Sequence, residues 1–149
     1  MPRTILFVCT GNTCRSPMAE GIARHLIGQG LLGPPEGWAV GSAGTNATDG
    51  LPATPEAIEA LRAMHIDIRN HRSRALTRAI LDWGSIIYGM TSGHLNALNA
   101  LAPASKDRLY LIDPTGEIND PFGSDQATYD ETAQRLLRII RERLEELTA

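Results

Sequence analysis

Ile5-Leu6-Phe7-Val8-Cys9-Thr10-Gly11-Asn12-Thr13-Cys14-Arg15-Ser16-Pro17 decides how this chain is read. An apolar run ends in a cysteine. A short loop of small residues follows, then an arginine, a serine and the start of a helix. Cys9 and Arg15 enclose five residues, a C-x5-R spacing. A loop this short can curl so that successive backbone N–H groups point inward and form an anion nest. A helix opening at Ser16-Pro17 adds the positive end of its dipole, and proline suits a first helical position. Helix N-termini and nearby cations favour a thiolate over a thiol. Arg15 supplies a planar fork that matches two oxygens of a tetrahedral anion. The stretch reads as a phosphate cradle with a nucleophile at its floor. The spacing alone would also fit a buried cysteine followed by a surface arginine.

Outward from the cradle, apolar strands alternate with helical periodicity. Thr4 to Val8 is a continuous apolar run, as in a parallel strand buried on both faces. Met18, Ala19, Ile22, Ala23, Leu26 and Ile27 recur at helical spacing. Gly28, Gly30, Gly33 and Pro34-Pro35 end that helix. Trp38-Ala39-Val40 reads as a second strand ending at Gly41 to Thr45. Thr54-Pro55 opens a second helix, with Thr54 as its N-cap. Thr77 to Trp83 reads as a short helix, Ser85 to Met90 as a third strand, Thr91 to Leu101 as a helix and Arg108 to Ile112 as a fourth strand. The last helix runs from about Ser124 to Leu147, with Tyr129, Ala133, Leu136, Leu137, Ile140, Leu144 and Leu147 as its core stripe. The expected fold is α/β, three-layered, with a short four-stranded parallel sheet flanked by helices in one domain over residues 1–149. Sites in such folds lie beyond the carboxyl ends of the strands. Cys9 lies at one such end, and Ser42 and the loop from Asp113 to Gly123 should lie beside it.

The chain has 149 residues, 42% hydrophobic and 21% charged, with a net charge of -3. That is ordinary for one globular domain and gives no reason to expect nucleic acid or membrane as a partner. No apolar run approaches the length of a membrane span. The N-terminus runs straight into a strand, so no signal peptide is expected. The two cysteines both lie in the cradle. Neither a disulfide framework nor a four-ligand zinc site is expected, and a cytoplasmic enzyme is the default.

The run Cys9-Thr10-Gly11-Asn12-Thr13-Cys14-Arg15-Ser16-Pro17-Met18-Ala19-Glu20 resembles the signature of the low-molecular-weight protein tyrosine phosphatases. It is closer still to their bacterial protein arginine phosphatase branch. The resemblance implies Cys9 as nucleophile, Arg15 as phosphate clamp, and Thr10, Gly11, Asn12, Thr13, Cys14 and Ser16 as the binding loop. It also implies that Ser16, Ser42 and His71 hold Asn12. From the residue types alone, Asn12 suits a left-handed turn, and Ser42 and His71 could equally be plain loop residues. The expected partner is a phosphorylated protein, with no cofactor and no metal, because Arg15 and the nest supply the positive charge.

A poor leaving group needs a proton, and a carboxylic acid above the cradle contributes about 10²–10⁴ in rate by giving it. In the family the aspartate of a late Asp-Pro pair does this. Asp120-Pro121 matches, and Asp113-Pro114 is a rival pair that reads as turn chemistry. Cys14 admits two readings, a small packing residue or a partner that bridges an oxidised Cys9, and the resemblance favours the second. Thr13, where tyrosine phosphatases of this family usually carry a bulky aliphatic residue, and Phe122-Gly123, where they tend to have a tyrosine, follow the arginine-specific pattern. Thr45-Asn46 departs from it, since an apolar or aromatic residue is usual there. The alternatives are a tyrosine phosphatase, an arsenate reductase, which would need cysteines after Cys14, and a phosphate-binding module without catalysis.

Overall fold

The computed structural model describes residues 2–148. Four strands, β1 (Arg3–Cys9), β2 (Trp38–Gly44), β3 (Ile86–Gly89) and β4 (Leu109–Leu111), alternate with helices. The helices are α1 (Arg15–Gly28), α2 (Pro55–Arg62), α3 (Arg78–Trp83), α4 (Ser92–Leu101) and α5 (Gln126–Glu146). The strands form one parallel sheet in the order β2-β1-β3-β4. Parallel neighbours need crossovers, and the helices supply them on both faces.

The period of two along β1 sorts its side chains between two cores. Ile5, Phe7 and Cys9 join a large cluster with Met18, Ile22 and Leu26 of α1, Leu61 of α2, and Tyr129, Leu136 and Ile140 of α5. Leu6 and Val8 face the other way, onto Leu81 of α3 and Leu98 of α4. Both faces of β1 are therefore covered, which is why its sequence reads as an unbroken apolar run. Leu136 is fully buried in the larger core, where truncation to alanine typically costs about 2–5 kcal/mol.

Local signals set most helix starts. Thr54, Thr77, Thr91 and Asp125 each accept a backbone N–H with the side chain at an N-cap. Four starts differ from expectation, two of them only in that Thr77 and Thr91 are caps rather than first helical residues. The last helix begins at Gln126 with Asp125 as its cap. Helix α1 begins at Arg15, which puts Pro17 at the third helical position rather than the first. Proline costs nothing there, because the first helical N–H groups have no intrahelical acceptor in any case. The core stripe of α5 also includes Ile139, while Leu137 and Leu147 pack at its margin. Trp83, at the end of α3, is 40% exposed.

Candidate active site

The cradle connects the carboxyl end of β1 to the N-terminus of α1, so Cys9 and Arg15 are fixed by two packed elements. Cys9 is 2% and Arg15 4% exposed. Asn12 turns the loop with a φ of 56°, in the left-handed region that asparagine tolerates better than most residues. Both hydrogens of its amide and its amide oxygen are engaged. Nδ2 donates to Ser16 Oγ at 2.8 Å and Ser42 Oγ at 2.9 Å, and Oδ1 accepts the Arg74 backbone N–H at 2.9 Å. His71 Nε2 donates to the Asn12 carbonyl at 2.8 Å. Ser42 in turn donates to Glu20 Oε1 at 2.5 Å. A buried network this complete fixes one geometry.

The contact beneath Cys9 is a serine hydroxyl. Ser16 Oγ receives the Asn12 amide, so its own hydrogen is available to Cys9 Sγ at 2.9 Å. That arrangement suits a negative sulfur. Gly44 closes the other side, in register with Cys9. A Cβ on it would lie 2.4 Å from the Thr10 carbonyl oxygen and 3.0 Å from the Asn12 nitrogen. Thr45 and Asn46 next to it donate to the carbonyls of Cys9 and Thr10, each at 2.9 Å.

The Arg15 guanidinium links the cradle to the late loop. Nη1 donates to the Ile118 carbonyl at 2.9 Å, and Nη2 lies 3.3 Å from Thr10 Oγ1 and 3.5 Å from Asp120 Oδ2. Arg15 Nε is buried without a protein partner. Asp120 is half-exposed, and its other oxygen accepts the Phe122 N–H at 3.0 Å. The rival aspartate sits elsewhere. Asp113 is 4% exposed, accepts from Thr115, and is paired with Arg135 at 2.7 Å. Burial alone would raise its pKa, but the Thr115 and Arg135 hydrogen bonds outweigh that and lower it to about 2. It is an ionised structural carboxylate with no proton to give near neutrality.

Phe122, 64% exposed, stands two residues beyond Asp120. Thr13 is half-buried, and its carbonyl accepts the Thr54 N–H at 2.9 Å. Cys14 Sγ lies 3.2 Å from Tyr129 Oη and 3.7 Å from Thr54 Oγ1. Burial pushes its thiol above the usual range. Both cysteines are free.

Partners of the cradle with no counterpart in the sequence reading include the Arg74 backbone N–H on Asn12, Gly44 against the loop, and His94, whose Nε2 lies 2.9 Å from Thr10 Oγ1. A groove of about 880 Å³ lies behind the Asn12 bracket, lined by Glu20, Arg24, Ser42, His71, Arg74 and Trp83, and does not reach Cys9. Among the described residues no group of His, Cys, Asp and Glu side chains is placed to hold a metal ion. No described helix is long and apolar enough to cross a membrane.

Comparison with known proteins gives the same lineage. The chain is 34% identical over 148 residues to a protein-arginine-phosphatase of Bacillus subtilis, covering 96% of this chain and 95% of that one. It is 39% identical over 116 residues to an arsenate reductase of Staphylococcus aureus, covering 77% and 81%. Its fold superposes with a TM-score of 0.88 and 32% identity on the YwlE arginine phosphatase, over 97% of this chain and 95% of that one. That structure is of a cysteine-to-serine mutant with a phosphorylated active-site serine. Residues 4–149 match the model of the low molecular weight phosphotyrosine protein phosphatases, so the chain belongs to that family.

Proposed function

We propose that the chain is a single-domain protein phosphatase that hydrolyses phosphoarginine in proteins through a phosphocysteine intermediate. The observation that carries the chemistry is the approach of Asp120 to Arg15 across a cradle floored by Cys9. The Cys9 thiolate attacks phosphorus in line. The P–N bond to the guanidinium breaks as the S–P bond forms, and Asp120 gives its proton to the leaving nitrogen. Arg15 and the loop N–H groups hold the equatorial oxygens, where charge spreads in the transition state. Water then attacks the phosphocysteine, Asp120 takes its proton, and phosphate leaves with the thiolate restored.

Asn12, with Ser42 and His71 behind it, holds the loop in its curled form, and Ser16 stabilises the sulfur. Thr13 and Phe122 border the leaving group. The choice of phosphoarginine rests on Thr13, on Phe122-Gly123, and on the arginine phosphatases among the relatives. Phosphotyrosine is the second reading, favoured by the polar Thr45-Asn46 pair. The likeness to an arsenate reductase does not extend to shuttling cysteines, since none follows Cys14. A nucleophile that must stay reduced suits the cytoplasm. Mild peroxide would convert Cys9 to a sulfenic acid, and Cys14 would displace its hydroxyl as water to form a disulfide.

Matched phosphoarginine and phosphotyrosine peptides test the substrate, with Cys9→Ser as the nucleophile control. We expect a higher kcat/KM on phosphoarginine and no turnover in the folded Cys9→Ser protein. A preference for phosphotyrosine would move the chain to the second reading, and turnover by Cys9→Ser would remove the mechanism.

A further inference from the structure

His94 is 5% exposed and lies outside the set of Cys9, Arg15 and Asp120. It is the third residue of α4, and its ring joins that helix to the cradle. Nδ1 accepts the Thr91 backbone N–H at 3.1 Å and lies 3.1 Å from Thr91 Oγ1. The Nδ1 lone pair is therefore in use, and a neutral ring must carry its hydrogen on Nε2. Nε2 then donates to Thr10 Oγ1 at 2.9 Å. The same oxygen receives Arg15 Nη2 at 3.3 Å. A hydroxyl oxygen accepts two hydrogen bonds and donates one. Both accepting positions of Thr10 are filled by fixed donors, so its one remaining capacity is to donate.

The residues around His94 keep the ring neutral. Burial and the neighbouring Arg15 charge lower its pKa to about 4, against weaker opposing effects of Asp120 and Glu117. Glu117 anchors the same corner by accepting the Ser92 N–H and hydroxyl at 2.6 and 2.7 Å. Ile118, the next residue, carries the carbonyl that holds Arg15. The N-terminus of α4 thus fixes both the first residue of the cradle and the base of the loop bearing Asp120.

We propose that His94 is a positioning residue of the phosphatase centre, which holds Thr10 Oγ1 against Arg15 and makes the Thr10 hydroxyl a donor to the transferred phosphoryl group. The inference rests on the phosphatase reading. It predicts a division of labour between the two ring nitrogens: Nδ1 serves the helix cap and Nε2 serves the reaction.

Two substitutions separate those tasks. His94→Asn keeps an oxygen near the Nδ1 position for the Thr91 N–H and removes the Nε2 donor. His94→Gln places an amide N–H near the Nε2 position. We expect His94→Asn to unfold near the wild-type temperature, to lose roughly 10-fold in kcat/KM on an aryl phosphate, and to bind inorganic phosphate more weakly by a similar factor, as for a hydrogen bond to a charged group. His94→Gln should recover most of both. Thr10→Val should lose as much as His94→Asn, and the double variant no more than either, because the two act as one unit. Long-range nitrogen–proton NMR on the wild type should show the Nε2–H tautomer. Wild-type turnover and phosphate affinity in His94→Asn, losses that add in the double variant, or an Nδ1–H tautomer would each overturn the proposal. The tautomer and phosphate binding are read without turnover, so they judge His94 separately from the phosphatase reading.

Discussion

Replacing Gly44 with alanine tests whether the cradle is held as rigidly as its contacts imply. The added Cβ would lie 2.4 Å from the Thr10 carbonyl oxygen, 2.8 Å from Ala47 Cβ and 3.0 Å from the Asn12 nitrogen. The first contact is on the order of 1 Å too short, since non-bonded heavy atoms settle near 3.5–4.0 Å between carbons. Neither side yields readily. Gly44 donates to the Arg74 carbonyl at 3.0 Å and accepts from Leu76 at 2.8 Å, while the Thr10 carbonyl accepts from Asn46 at 2.9 Å. Overpacking of this kind typically costs about 1–3 kcal/mol. For a chain of this size that is a fall in Tm of roughly 3–10 °C. The loss of activity should be larger than that, because a shift of about 1 Å in a positioned group can cost on the order of 10²-fold. The assay is kcat/KM on an aryl phosphate beside thermal unfolding by circular dichroism. Gly28→Ala serves as control, since a Cβ there meets nothing within 4 Å. A Gly44→Ala protein with wild-type kcat/KM would show that the loop adapts and would refute rigid closure.

The aspartates should separate by function. Asp120→Ala should slow substrates with poor leaving groups by about 10²–10⁴ while sparing activated ones; if Asp113→Ala shows that dependence instead, the wrong acid has been chosen. Asp113, held at about 2 against an ordinary 3.8, gives stability that is present above the ordinary value and lost as pH falls through about 2. That amounts to roughly 2 kcal/mol, so unfolding curves of wild type and Asp113→Asn should converge towards pH 2, and a constant gap would refute the linkage. Thr13→Ile should move the ratio of kcat/KM from phosphoarginine towards phosphotyrosine by about 10–200-fold, as single pocket changes do; an unchanged ratio removes Thr13 as the selector. Mild peroxide should yield a Cys9–Cys14 disulfide that reductant reverses, more readily at alkaline pH because burial raises the Cys14 thiol, and mass spectrometry that finds only irreversibly oxidised Cys9 would sink that idea.

What could be read from the sequence, and what could not, follows the range of the interactions. The alternation of strands and helices was legible because β1 is buried on both faces and threonines mark three helix starts, all of them local signals. The C-x5-R loop was legible because its chemistry is packed into seven residues. Asp120 and Asp113 share the same Asp-Pro local pattern, and their tertiary neighbours separate them, Arg15 beside Asp120 and Arg135 beside Asp113. Arg74 and His94 contact the cradle across 62 and 84 residues of sequence, through a backbone N–H and a ring nitrogen. No periodicity or spacing encodes such contacts.

One local signal for His94 was nevertheless present. A capping box places Glu or Gln at the third helical position, where the side chain reaches back to the N-cap N–H. Thr91-Ser92-Gly93-His94 has the box with a histidine in that place, and the ring nitrogen does the capping. Glutamate would cap as well, so helix stability alone does not call for histidine. Its difference is the second nitrogen, which emerges on the far side of the ring and can donate where a carboxylate cannot. Departures from a local rule tend to fall at functional sites. Here the departure supplies the donor that a glutamate would lack, on the side facing Thr10. A carboxylate at this point would also pull on Arg15, competing with the phosphoryl oxygens for the same charge. In the proposed site, a neutral ring holds Thr10 in place and leaves the guanidinium charge to the substrate.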